Sequence, residues 1–181
     1  MNETVYIVNG ARTPMGGLQG CFSSMSAVEL GSAAIEETLK RSCIEKKEVQ
    51  EVIMGCVLPS GLRQGPARQA AMQAGIPVET GASTINKLCG SGMKATMLAF
   101  DSIRAGSNQL VIAGGMESMS NAPYLLPKAR KGLRMGHGEI QDSMFTDGLE
   151  DASTGRLMGS FAQEVADEYQ LTRESMDEFA I

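Results

Sequence analysis

Two periodicities, and the breaks between them, organise the first 118 residues. Residues 5–8 (VYIV) are β-branched and aromatic and meet Asn9-Gly10, which predicts a short strand ending in a turn. Residues 11–25 are rich in Gly and Ser and predict a loop. Ser26 and Glu29 have capping-box spacing, so a helix is expected from there to about Arg41, with Ala27, Leu30 and Ala34 on one face. Residues 51–57 (EVIMGCV) predict a second strand. Residues 66–74 form a helix-compatible run with Pro66 in its first turn and Gly75 as its stop. A short extended piece at 83–86 leads into a helix expected over 90–106, with Gly106 at its end. Residues 109–113 (QLVIA) predict another strand. Strands alternating with helices imply an α/β fold with a largely parallel sheet.

The helix after Cys89 carries Met93, Ala95, Met97, Leu98, Ala99, Phe100 and Ile103. These positions run most of the way round its circumference. A helix of that kind is expected to be covered on all sides, in the middle of a molecule, between sheets or against a second half. After Glu117 the pattern dissolves. Pro123, Pro127 and several glycines interrupt regular structure, and Lys128, Arg130, Lys131 and Arg134 form a basic cluster. Helical spacing resumes over 158–169, and Thr172 has the character of an N-cap. The last helix has no stop signal before Ile181, so the chain is expected to be a fragment of a longer polypeptide.

Composition narrows the function classes. The net charge of -5 disfavours nucleic acid as a partner, because phosphate binding needs a basic surface. No run is long and apolar enough to span a bilayer, and the N-terminal Met1–Thr4 stretch has no signal-peptide character. Cys21, Cys43, Cys56 and Cys89 form no CxxC pair, and His137 is the single histidine. Neither a metal site nor a disulfide framework is expected, and the chain reads as cytoplasmic with reduced thiols.

The chemistry concentrates at residues 86–95, NKLCGSGMKA. Cys89 stands where a strand passes into a helix, with Gly90 and Gly92 after it. Helix N-termini present unsatisfied N–H groups and a positive dipole end, both of which favour a thiolate. The glycines admit a tight turn and a close substrate, and the Cys89 N–H is placed to donate to an oxyanion. A free cysteine at such a point is as readily a small buried hydrophobe. Spacing alone leaves both readings open.

The segment NKLCGSGMKA closely resembles the nucleophile motif of thiolases. Gly10-Ala11-Arg12-Thr13-Pro14, Gly65-Pro66-Ala67-Arg68-Gln69-Ala70, Gly114-Gly115-Met116-Glu117-Ser118-Met119-Ser120, Asp147-Gly148-Leu149 and Met158-Gly159 agree with the same family, in order. The resemblance covers essentially the whole chain, but about the first half of a thiolase. It implies the first half of a five-layered αβαβα architecture, with residues 1–118 in the N-terminal α/β domain. Residues 119–181 would begin an inserted loop domain concerned with tetramerisation.

The implied activity is a reversible thioester Claisen condensation, two acetyl-CoA giving acetoacetyl-CoA plus CoA, through an acyl-Cys89 intermediate. Coenzyme A thioesters are then substrates, and no cofactor is expected. Leu149 and Met158 fall where the family lines its pantetheine channel, although plain packing explains apolar residues there equally well. Leu157 stands where short-chain biosynthetic thiolases often carry His. The basic cluster at 128–134 serves either to attract anionic CoA or only to solvate a loop. The intact protein is expected to be a homodimer or homotetramer. The family also supplies a His from a GHP-type motif and a second Cys from a CxGGG-type motif; neither occurs here, and His137 matches neither. The 181-residue chain alone is therefore expected to be inactive. A thiolase of broader chain length is the alternative within the class, and a non-catalytic acyl-CoA-binding or interaction module the alternative outside it.

Overall fold

The computed structural model describes residues 4–181, so Met1, Asn2 and Glu3 of the N-terminal stretch lie outside the described residues. The chain forms two compact units, the first ending at Pro123 and the second spanning Tyr124–Ile181.

The first unit is built on three parallel strands, β1 (Glu51–Gly55), β2 (Gly81–Ile85) and β3 (Val111–Gly115), in the order β2-β1-β3. Gly55 pairs with both Ile85 and Gly115, so the three strands end at one level. The middle strand is apolar without alternation, as a strand covered on both faces should be. Val52, Met54 and Cys56 point to one face and join a core with Ala27, Ile35 and Leu39 of α1 (Ala27–Ser42) and Ala67, Ala70 and Ala71 of α2 (Pro66–Gln73). Gly55 points to the other face, where α3 (Ser91–Arg104) packs on β1 and β3. Helices on both faces of a parallel sheet make an α/β/α layering, the α/β fold class that the alternating pattern implies.

The capping box at Ser26 forms as its spacing predicts: the Glu29 N–H donates to Ser26 Oγ at 3.2 Å and the Ser26 N–H donates to Glu29 Oε2 at 2.8 Å. The buried face of α1 is rotated from the expected one. It runs through Ala27, Val28, Gly31, Ser32, Ile35 and Leu39, and Leu30 and Ala34 lie at its half-buried flanks. Ile35 and Leu39 outweigh the smaller residues, since burying each contributes about 1.5–3 kcal/mol.

One expectation is corrected. Residues 5–8 belong to no strand ladder among the described residues, with Ile7 88% exposed. They share a groove of about 540 Å³ with the outer edge strand β3, and strand propensity without a hydrogen-bonding neighbour leaves a run unpaired. Within this chain α3 is buried on one face only, at Ser91, Ala95 and Ala99. Met93, Met97 and Phe100 are exposed.

The second unit has a two-strand antiparallel ladder, β4 (Tyr124–Leu125) with β5 (Gln141–Asp142). The basic cluster and His137 lie on the exposed loop between them. A π-helical turn over Phe145–Leu149 follows, then α4 (Met158–Glu168) and α5 (Arg173–Ala180). Thr172 caps α5, accepting the Ser175 N–H at 3.2 Å. The turn before α4 is held by Asp151, whose Oδ2 accepts from the Thr154 hydroxyl at 2.7 Å and the Thr154 N–H at 2.8 Å. Those bonds, the hydroxyl's first, hold its carboxyl below the usual range. No helix among the described residues is long and apolar enough to cross a membrane.

Candidate active site

Cys89 lies between the end of β2 and the start of α3, and it is exposed. Four residues make the bend. Asn86 leaves β2, and its Oδ1 accepts the Leu88 N–H at 2.8 Å. Leu88 takes φ +49°, a left-handed conformation uncommon for a leucine. Ser91 closes the bend from the helix side. Its hydroxyl donates to the Leu88 carbonyl at 2.6 Å and accepts the Lys87 N–H at 2.8 Å. The Ser91 N–H also donates to the Leu88 carbonyl, at 3.0 Å.

This differs from the turn expected on the glycines. Gly90 is the N-cap with φ −90°, so Leu88, not a glycine, carries the left-handed backbone. The glycine that matters sterically is Gly55: a Cβ there would stand 2.6 Å from Ser91 Cβ. Its missing side chain lets the first turn of α3 sit against the end of β1.

Behind the bend, Glu117 ties down the chain leaving β1. Its carboxylate accepts the Val57 N–H at 2.8 Å and the Leu58 N–H at 3.1 Å, and the Cys56 thiol donates to it at 3.5 Å. Burial first, then the adjacent negative charge, pushes the Cys56 thiol up to about 12. Two cysteines of the first unit are therefore chemically opposite: Cys56 is sealed and held protonated, and Cys89 is open to solvent.

Leu149 and Met158 come together in the second unit. With Phe145, Leu157 and Gly159 they line an open, mostly apolar groove of about 690 Å³ over the N-terminus of α4. Ser160, Gln163 and Glu164 supply its polar rim. Arg156, beside it, pairs with Glu164 and lies 4.5 Å from the centre of the Phe161 ring. A groove of this size and polarity suits a thin ligand that is apolar along its length. Leu157 contributes no hydrogen-bonding side chain to the wall. His137 is exposed on its loop. Among the described residues no group of three or more His, Cys, Asp or Glu is placed to hold a metal ion.

The sequence model described as thiolase, N-terminal domain, matches residues 5–181. The chain belongs to the thiolase family. It is 52% identical over 177 residues to acetyl-CoA acetyltransferase 2 of Arabidopsis thaliana, covering 98% of this chain and 44% of that one. It is 49% identical to an acetyl-CoA acetyltransferase of Cupriavidus necator, covering 98% and 45%. Among solved structures, the Acat5 thiolase of Ascaris suum in complex with coenzyme A superposes with a TM-score of 0.88 at 37% identity, over 97% of this chain and 45% of that one. This thiolase chain thus spans just under half the length of the relatives it matches.

Asn86, Ser91 and Glu117 all stand within the thiolase-like motifs, and the motif match alone assigns them no role. Asn86 had a readable signal, an Asn two residues before a bend, where its side chain bonds the backbone two positions on. Glu117 had none: its partners lie 60 and 59 residues away.

Proposed function

We propose that the intact protein is a thiolase-type acyltransferase that condenses two acetyl-CoA into acetoacetyl-CoA and CoA, reversibly, through acyl-Cys89. The observation that carries this is an exposed cysteine at the strand-to-helix bend of a thiolase N-terminal domain. In synthesis the Cys89 thiolate attacks the thioester carbon of acetyl-CoA, an S–C bond forms, the C–S bond to CoA breaks, and CoA leaves with a proton. The enolate of a second acetyl-CoA then attacks the acyl-Cys89 carbonyl, a C–C bond forms, and the Cys89 sulfur is released. A thioester replaces a thioester in the first step, so the acyl transfer is close to balanced.

The proton acceptor for Cys89 and the group that forms the enolate come from outside these 181 residues. The start of α3 supplies backbone N–H groups and a dipole end, which favour an oxyanion on the acyl group. The groove walled by Leu149 and Met158 would take the pantetheine arm. A homodimer or homotetramer in the cytoplasm is the assembly that accompanies this reading.

Incubating the full-length protein with acetyl-CoA and mapping acetylated peptides by mass tests it. One acetyl group on Cys89, lost on adding CoA and absent in Cys89→Ala, is the expected result. A label on another cysteine would sink the assignment, and no label would also favour a non-catalytic acyl-CoA-binding module. A substrate series of lengthening 3-ketoacyl-CoA separates the short-chain enzyme from a broader thiolase: a steep fall in kcat/KM beyond four carbons is expected.

A further inference from the structure

We propose that Asn86 is a positioning residue for the Cys89 nucleophile, holding the residue before it in a conformation the backbone would otherwise abandon. This rests on the reading of Cys89 given above. Leu88, at φ +49°, lies in a region disfavoured for a bulky L-residue. Such a conformation persists only where surrounding bonds over-determine it, and it sits here one peptide from the reacting sulfur.

The Asn86 amide spans two strand ends. Its Oδ1 accepts the Leu88 N–H at 2.8 Å, and its Nδ2 donates to the Val57 carbonyl at 3.3 Å. One partner is a donor and the other an acceptor, so the network fixes which way the amide faces. Val57 is itself fixed, because its N–H lies on the Glu117 carboxylate at 2.8 Å. Tension on the Leu88 peptide therefore passes through Asn86 to the end of β1, and from there to Glu117 just beyond β3. All three strand ends contribute to where Cys89 points.

Ser91 also grips the Leu88 carbonyl, but it is 4% exposed and packs against Gly55 at the first turn of α3. Its loss would disturb folding and geometry together. Asn86 is exposed and belongs to no core cluster, so its contribution to geometry is separable from stability.

The experiment uses the full-length protein and acetyl-CoA, with rapid quenching and peptide mass analysis at Cys89. Asn86→Ala removes both bonds; Asn86→Asp keeps an oxygen for the Leu88 N–H and loses the donor to Val57. For Asn86→Ala we expect the acetylation rate constant to fall about ten- to hundredfold, as for a small misplacement of a reacting group. The acetyl-CoA concentration at half-saturation and the thermal midpoint should stay near those of the wild type. Asn86→Asp should recover most of the loss, with its rate profile displaced to higher pH by the added negative charge near the thiol. An Asn86→Ala protein acetylated at the wild-type rate would overturn the proposal. So would equal losses in both variants that follow the thermal midpoint, which assign Asn86 to folding alone. No acetyl group on wild-type Cys89 would overturn this proposal together with the function it rests on.

Discussion

Cys56 and Cys89 show how little a residue type decides without its surroundings. Cys56 is 1% exposed and donates to Glu117; burial first, then that carboxylate, pushes its thiol up to about 12. Cys21, Cys43 and Cys89 are exposed. Alkylation at neutral pH, read by peptide mass, should modify those three and spare Cys56 until the fold is opened. The pH dependence has a definite sign. A thiol whose folded value lies above its ordinary 9.0 binds its proton more tightly in the fold, so stability is intact below about 9 and declines as pH rises toward 12. Urea midpoints measured across that range should fall, and Cys56→Ala should remove part of the slope. A slope unchanged in that variant would show that burial of this thiol does not govern alkaline stability.

At the scale of elements, the start of α1 and the packing of α3 on β1 differ in kind. The capping box of Ser26 with Glu29 is local, formed within four residues. Ser26→Ala should cost about 1 kcal/mol in chemical denaturation, because one orphan N–H loses its acceptor. The contact of Gly55 with Ser91 is non-local, joining strands and a helix 36 positions further on. Gly55→Ala pushes a methyl into Ser91 Cβ and its backbone, where no flexible side-chain end can give way. It should cost about 1–3 kcal/mol, as overpacking does, and should also slow Cys89 acetylation by moving the bend. Loss of stability with no change in that rate would mean that the first turn of α3 does not set the position of Cys89. The helix spans themselves were legible from caps, proline and glycine. Residues 5–8 join no ladder despite their β-branching, because β-branching reports a preference and the ladder partner is a tertiary matter.

At the scale of the whole molecule, the chain covers 44–45% of the acetyltransferases it resembles. α3 carries apolar residues round most of its circumference, yet presents Met93, Met97 and Phe100 to solvent. Cys89, the proposed nucleophile, is exposed, and the sequence contains neither the GHP-type His motif nor the CxGGG-type Cys motif that would supply its partners. The purified 181-residue chain is therefore expected to show no measurable thiolysis of acetoacetyl-CoA, followed by loss of the enolate absorbance. A measurable rate would mean that the first half alone assembles a working site.

The alternation of strands and helices, the capped start of α1, the family and the cysteine at the strand-to-helix bend can all be read along the chain. Each is encoded by neighbours a few positions apart or by an ordered set of short motifs. That Leu88 rather than a glycine bends the chain follows only from the folded backbone. The fold alone shows that Glu117 secures the loop beyond β1 and that Leu149 and Met158 share a groove. Those outcomes depend on groups brought together from distant positions, and chain spacing carries no record of a distance in space.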